Sequence, residues 1–387
     1  MSDAVPAEPA AFPYLRPRIK REHRPLRRVD RTVQIGGDIY GIASVLDDPD
    51  GWIWEAMRLL DGERSPDQVA AGSSQSPDAV RSLLDALYDA GFLEDAAAQD
   101  SMILSAQEQE RYSRNQAFYR WVDLTPRPSA WTVQEKIRAA SVVVLGVGGA
   151  GSSAAMALAA AGVGRLHVVD PDVVELSNLT RQFLYTEEDL GRPKVEAAVQ
   201  RLRAINSGVT VTGEQAAVRS EQDLKRLTAR CDVFALCADS PDEIAHWATR
   251  ACAATGTPWV TGGYIGPLTQ VMTFVPGTGP CFECLHLHSK QASSAAPAAI
   301  DEPGPPTNQE NSASVAASAG LCGMLFAHAV LAHITGAPDF GANLAFGINL
   351  AAPDEHVYAA PERNPHCPVC GDGRPSDAER VENGRGH

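Results

Sequence analysis

The sequence predicts an α/β protein with a predominantly parallel sheet, preceded by a small domain in which strands come before helices. Two observations carry the larger part. A β-branched run, Val142 to Leu145, leads into a glycine-rich loop and an Ala-rich helix through Ala161. Strand and helix patterns then alternate up to Thr261, which places helices on both faces of a parallel sheet. The third observation, a strand-then-helix block over residues 26–96, predicts a separate winged-helix-like domain.

In chain order, residues 1–25 are predicted to be a disordered basic arm. The start is low in complexity, and eight Lys or Arg residues crowd Arg16 to Arg31. Short β-like stretches follow at Arg31 to Ile35 and Ile39 to Val45. One apolar helical face then holds Trp52, Ile53, Met57, Leu59 and Leu60. A second holds Val80, Leu83, Leu84, Leu87 and Leu93 and stops at Gly91. Residues 97–106 read as a linker, and 107–375 as the main domain.

Within that domain the expected strands are Val142 to Leu145, Leu166 to Val169, Val209 to Thr212, Val233 to Leu236 and Trp259 to Thr261. The expected helices cover Pro193 to Ile205, Glu221 to Ala229, Asp242 to Ala254 and Val315 to Ile334. Gln291 to Asn308, rich in Pro, Ser and Ala, reads as an exposed loop, and residues 376–387 as a frayed tail.

Charge and hydropathy narrow the function. With 48 acidic against 33 basic residues the net charge is -15, which gives no global attraction for nucleic acid or an anionic membrane. No apolar run near 18 residues and no signal-peptide pattern are expected, so a cytoplasmic location follows. Eight cysteines in a reducing compartment then read as metal ligands or buried thiols rather than disulfides.

The chemistry concentrates after the first strand. Gly146, Gly148, Gly149 and Gly151 let backbone amides and a helix N-terminus face a phosphate with no side chain in the way. Asp170, 24 residues after Gly146, ends the next strand, where a carboxylate can accept from ribose hydroxyls. Those features alone also fit an NAD-dependent oxidoreductase. The Arg, Asn and Lys that follow tip the balance, because a triphosphate needs several cations and a metal.

The glycine loop, the run Asp170-Pro-Asp172-Val-Val-Glu175-Leu-Ser-Asn178-Leu-Thr-Arg181-Gln182 and the run Gly191-Arg-Pro-Lys194 resemble the ThiF/MoeB family of ubiquitin-activating-type adenylyltransferases. The resemblance covers residues 107 to 370. It implies a Rossmann-like ATP-binding fold, with Asp170 on the ribose and Asn178, Arg181, Gln182 and Lys194 around the phosphates. Asp239 matches the family's magnesium-binding aspartate. The segment Glu110-Arg111-Tyr112-Ser113-Arg114-Asn115-Gln116 resembles one whose second arginine, here Arg114, reaches the neighbouring subunit's site, which implies a homodimer. Activity would be adenylation of a peptide or small-protein carboxylate with release of pyrophosphate, in biosynthesis of a ribosomal peptide natural product or sulfur-bearing metabolite.

Two C-x-x-C knuckles, Cys281 with Cys284 and Cys367 with Cys370, are read as one structural zinc site of four thiolates. Cys231, Cys237 and Cys252 read as core, and Cys322 as helix packing. No cysteine lies between Leu285 and Leu321, where some members of the family carry a thioester-forming one. The adenylate would therefore pass directly to another nucleophile. The N-terminal domain resembles PqqD-like peptide-recognition modules, with Arg27, Arg28 and Arg31 placed to meet an acidic leader. The competing reading is a non-catalytic scaffold that presents a leader peptide to a partner modifying enzyme.

Overall fold

The computed structural model describes residues 13–39, 41–98, 101–294 and 313–371. The chain divides into two compact units, Met1–Lys136 with Ala337–Asp339, and Ile137–Gly336 with Phe340–His387.

In the N-terminal unit, β1 (Pro17–Ile19) pairs antiparallel with β5 (Leu93–Asp95), and β2 (Leu26–Arg27), β3 (Thr32–Ile35) and β4 (Ser44–Asp47) form a three-stranded antiparallel sheet. Between β4 and β5 come α1 (Trp52–Arg58), α2 (Pro66–Gly72) and α3 (Pro77–Asp89). The last two start from matching signals. Ser65 and Ser76 each cap a helix whose first residue is proline, supplying an acceptor to amides that have no partner in the helix. Helix α3 buries Val80, Leu83, Leu84 and Leu87, while Leu93 belongs to β5.

Three expectations about this unit are corrected. The described part of the predicted arm is ordered: Tyr14, Pro17 and Ile19 are buried, and the Lys20 ammonium donates to the Asp123 carbonyl at 2.6 Å. Inward apolar residues alternate there with Arg16 and Arg18, a period of two that the arginine count hides. The strand expected over Ile39 to Val45 starts only at Ser44, because Gly36, Gly37 and Gly41 hold positive φ angles and turn the chain first. The boundary lies past 97–106, since α4 (Ala106–Arg111), α5 (Ser113–Val122) and most of α6 (Thr132–Ala139) close on the first unit. Leu104, Tyr112 and Trp131 form a cluster of their own there.

The C-terminal unit is built on an eight-stranded sheet of order β13-β12-β11-β10-β9-β6-β7-β8. Its strands are β6 (Ser141–Leu145), β7 (Arg165–Val169), β8 (Thr210–Glu214), β9 (Val233–Leu236), β10 (Trp259–Ile265), β11 (Leu268–Phe274), β12 (Leu344–Asn349) and β13 (His356–Ala359). From β8 to β10 all neighbours are parallel, and from β10 to β13 antiparallel. The antiparallel half is what the sequence reading did not place. Strand β10 runs on past Thr261 and reverses at Gly266 into β11, whose residues alternate between half-buried and buried.

Helices α7 (Gly149–Ala161), α8 (Lys194–Ile205), α9 (Glu221–Thr228) and α10 (Ile244–Thr255) provide the crossovers, with α11 (Phe282–Ser294) and α12 (Ala316–Thr335) after β11. The start of the loop expected over Gln291 to Asn308 is the end of α11, and its remainder lies outside the described residues. The same holds for the tail, 376–387.

Helix α12 corrects the hydropathy reading, since among the described residues it is long and apolar enough to cross a membrane. Here it is packed on α7 instead. A Cβ on Gly323 would lie 2.3 Å from the Ala150 carbonyl oxygen, so glycine lets the two backbones touch. The chain passes from β6 through β7 to β8 on one side, then returns to β9 on the other. This reversal opens a crevice at the carboxyl ends of β6 and β9.

Candidate functional site

The crevice is lined first by backbone. After Leu145 the chain turns at Gly146, whose φ is +88°, and its amide donates to the Val169 carbonyl at 2.8 Å. A Cβ at Gly146 would stand 2.9 Å from the Ala238 nitrogen, and one at Gly151 would stand 1.9 Å from the Gly146 carbonyl oxygen. Helix α7 therefore starts closer to the strand end than any side chain allows. Gly148 is its N-cap and offers no side-chain acceptor, so its first amides are free for an anion.

Asp170 directly follows β7 and is 4% exposed. Its two carboxylate oxygens accept from the Val147 amide at 2.8 Å and the Asp172 amide at 2.9 Å. The Tyr185 hydroxyl fastens the other side of the loop by donating to the Val147 carbonyl at 2.9 Å. Burial, reinforced by Asp170, pushes that phenol's pKa up and keeps it a donor.

Beyond β7, Asn178 is buried and its Oδ1 accepts from the Glu175 amide at 3.1 Å. The Arg181 guanidinium donates to the Ser177 carbonyl at 3.0 Å. Gln182 is 3% exposed, packs beside Gly148, and its Oε1 has no partner among the described residues. Lys194 opens α8, buried, with its ammonium 2.8 Å from Asp172. Asp239 is exposed on the loop after β9, next to the Ala238 that meets Gly146.

Gly146, Gly148, Gly149, Gly151, Asp170 and Gln182 thus share one crevice, joined through Asp172 to Lys194. Arg114 belongs to the N-terminal unit, where it is exposed near the start of α5. Sequence reasoning missed Asp172, Tyr185 and Tyr264. The Tyr264 hydroxyl on β10 occupies the place where a Cβ on Gly149 would come within 2.3 Å of it. No local signal marks a tyrosine that reaches the loop from another strand. The uncapped amides, the unpartnered Gln182 oxygen and the cradle that any Cβ would fill all suit a bound polyphosphate.

A second cluster joins the start of α11 to the C-terminal segment. The sulfurs of Cys281, Cys284, Cys367 and Cys370 all lie within 4.8 Å of one another, with Cys281 to Cys367 at 3.5 Å and Cys284 to Cys370 at 3.4 Å. Four thiolates on a tetrahedral zinc stand about 3.8 Å apart, so the cluster fits a divalent metal. Burial pushes the Cys284 thiol up to about 11, which a bound cation would reverse. Glu283 inside the first knuckle accepts from His246 Nδ1 at 2.6 Å, tying α10 to the cluster. Of the other cysteines, Cys252 and Cys322 are buried, while Cys231 and Cys237 are partly so.

The class this architecture defines is a doubly wound α/β protein with a glycine-rich turn at its switch point and a four-cysteine cluster that fits a metal. Residues 112–369 match the ThiF family, and the chain belongs to it. The adenylyltransferase and sulfurtransferase MOCS3 of Arabidopsis thaliana is 36% identical over 194 residues, covering 50% of this chain and 41% of that one. The sulfur carrier protein adenylyltransferase of Thermus thermophilus is 36% identical over 267 residues, covering 64% and 88%. The chain therefore spans under half of the first relative and most of the second. Crystal structures of Escherichia coli MccB, one of them with ATP, share the fold with a TM-score of 0.71 and 23% identity, over 92% of this chain and 99% of that one.

Proposed function

We propose that this protein is an ATP-dependent adenylyltransferase acting on the carboxylate of a peptide or small protein. The observation that carries the reading is a buried lysine, Lys194, at the N-terminus of α8, linked through Asp172 and Asp170 to the glycine cradle. A cation at the positive end of a helix dipole is locally unfavourable, so its place there points to an anionic ligand. The relatives' names, sulfur carrier protein adenylyltransferase among them, point the same way.

In this reading Asp170 takes the ribose, while Asn178, Arg181, Gln182 and Lys194 surround the phosphates, with Asp239 as the residue that would hold magnesium. A carboxylate oxygen attacks the α-phosphorus. The bond to the bridging oxygen breaks and pyrophosphate leaves with its electron pair. The chain's part is positioning and charge neutralisation, which is most of what such displacements require. Burial pushes the Cys322 thiol up to about 12, unsuited to accepting an acyl group, so the adenylate passes directly to another nucleophile.

The four cysteines would hold one structural zinc, whose closed thiolate shell leaves no position for substrate. We read the protein as a cytoplasmic homodimer in which Arg114 of one subunit serves the site of the other. The N-terminal unit would take a leader peptide: Leu26, Val29 and Val45 are exposed apolar residues on or beside β2 and β4, next to Arg27, Arg28 and Arg31. The setting would be biosynthesis of a ribosomal peptide natural product, with a partner modifying enzyme downstream. The test is pyrophosphate exchange into ATP that depends on the peptide, together with intact-mass detection of the adenylated product. Absence of exchange across candidate peptides with magnesium present would overturn the reading.

A further inference from the structure

We propose that Asp172 is a positioning residue that holds Lys194 when no phosphate is bound and takes it back when pyrophosphate leaves. The inference rests on the nucleotide reading above and concerns a residue to which that reading assigns no role.

Lys194 is placed against two local costs. Its side chain is 7% exposed, and its ammonium stands at the first residue of α8, at the positive end of the helix dipole. The ion-pair partner of that charge among the described residues is Asp172, at 2.8 Å, and Asp172 is itself 62% exposed. A buried cation paired with a solvent-facing carboxylate is a pair that an incoming anion can open, since the acid can return to water at small cost.

The backbone keeps the two residues together whatever the side chains do. The Lys194 amide donates to the Asp172 carbonyl at 2.9 Å, and Val173 bridges Pro193 in antiparallel register. The Asp172 amide in turn donates to Asp170, whose other oxygen holds the Val147 amide of the glycine loop. Asp172 thus links the loop to Lys194 through its amide, its carbonyl and its carboxylate, and in this proposal a phosphate held by the loop competes with that carboxylate for the lysine. When that phosphate departs, the carboxylate is already in place to receive the ammonium.

The test is titration calorimetry with magnesium present, using ATP, pyrophosphate and adenosine as probes. Asp172→Asn should tighten ATP and pyrophosphate on the order of tenfold, because the competing charge is gone, and leave adenosine unchanged. Asp172→Glu, which keeps the charge, should stay near wild type. In the Lys194→Gln background the gain should vanish, because general repulsion between Asp172 and phosphate would persist there while competition for Lys194 would not. A wild-type protein that binds no ATP overturns the nucleotide reading itself. Wild-type binding together with unchanged or weaker ATP affinity in Asp172→Asn, or a gain that survives without Lys194, overturns the role of Asp172 alone. A merely structural Asp172 would weaken adenosine along with ATP.

Discussion

The carboxylate of Asp170 accepts the Val147 amide at 2.8 Å, so the residue proposed to take the ribose also fixes the shape of the glycine loop. Asp170→Asn presents an amide to one of two backbone donors and leaves that donor buried without an acceptor. Stability should fall by about 1–3 kcal/mol, and ATP affinity should fall with it. Thermal unfolding and nucleotide titration on the same preparation check this. An unchanged melting temperature with lost binding would confine Asp170 to the ligand.

Gly323 on α12 should be intolerant of a methyl group. A Cβ there lies 2.3 Å from the Ala150 carbonyl oxygen and 2.5 Å from the Ser153 Cβ, and neither neighbour can swing away. Gly323→Ala must push α12 off α7, at about 1–3 kcal/mol. Because α7 begins at the glycine loop proposed to hold the phosphates, phosphate binding should weaken as well. Denaturant unfolding reads the first effect, and pyrophosphate titration the second.

Metal analysis should find about one zinc per chain. Cys281→Ser and Cys367→Ser each remove a ligand from one knuckle, and either should abolish the stoichiometry and lower the melting temperature. A strong chelator should do the same to the wild type. Full stability after metal removal would show that the cluster is only four packed thiols.

Acid should destabilise the protein before its carboxylates titrate. Burial pushes His23 and His333 down to about 4 from an ordinary 6.5. Between those values the unfolded chain binds a proton that the folded chain refuses. Stability is therefore fully present above pH 6.5 and falls as pH drops toward 4, by up to about 3 kcal/mol for the wholly buried His23. Unfolding midpoints at pH 7, 6 and 5 should track this fall, and His23→Gln should lessen it, leaving the part that His333 contributes.

If Arg114 serves a neighbouring subunit, Arg114→Ala and Lys194→Ala should each abolish pyrophosphate exchange. Their mixture should recover about a quarter of wild-type activity, because subunit exchange leaves that share of sites with both residues intact. No recovery after verified exchange would place Arg114 in its own chain's site or in none.

What could be read along the chain was local chemistry. The glycine loop, the strand that ends in Asp170 and the two cysteine knuckles each declare themselves within a few residues, because tight turns, helix starts and metal knuckles are made by neighbours in sequence. Strands β6, β7 and β9 were legible for the same reason, as short apolar runs with turn signals at each end. The antiparallel strands β11 to β13 were not, since half-buried alternation identifies a strand without saying which edge it joins. The basic stretch before β2 misled because the inward Pro17 and Ile19 are outvoted by the arginines that alternate with them.

By itself, then, the sequence determined that this protein has a glycine turn between a strand and a helix, an acid to follow it and two C-x-x-C pairs. Only the tertiary structure decided that Lys194 is buried and answered by Asp172, that Tyr185 and Tyr264 close on the loop, and that Gly323 seats α12 against α7. The reason is physical: hydrogen-bond and turn preferences act over a few residues. The partner of a buried charge is settled only when distant segments pack and exclude the water that would otherwise solvate it.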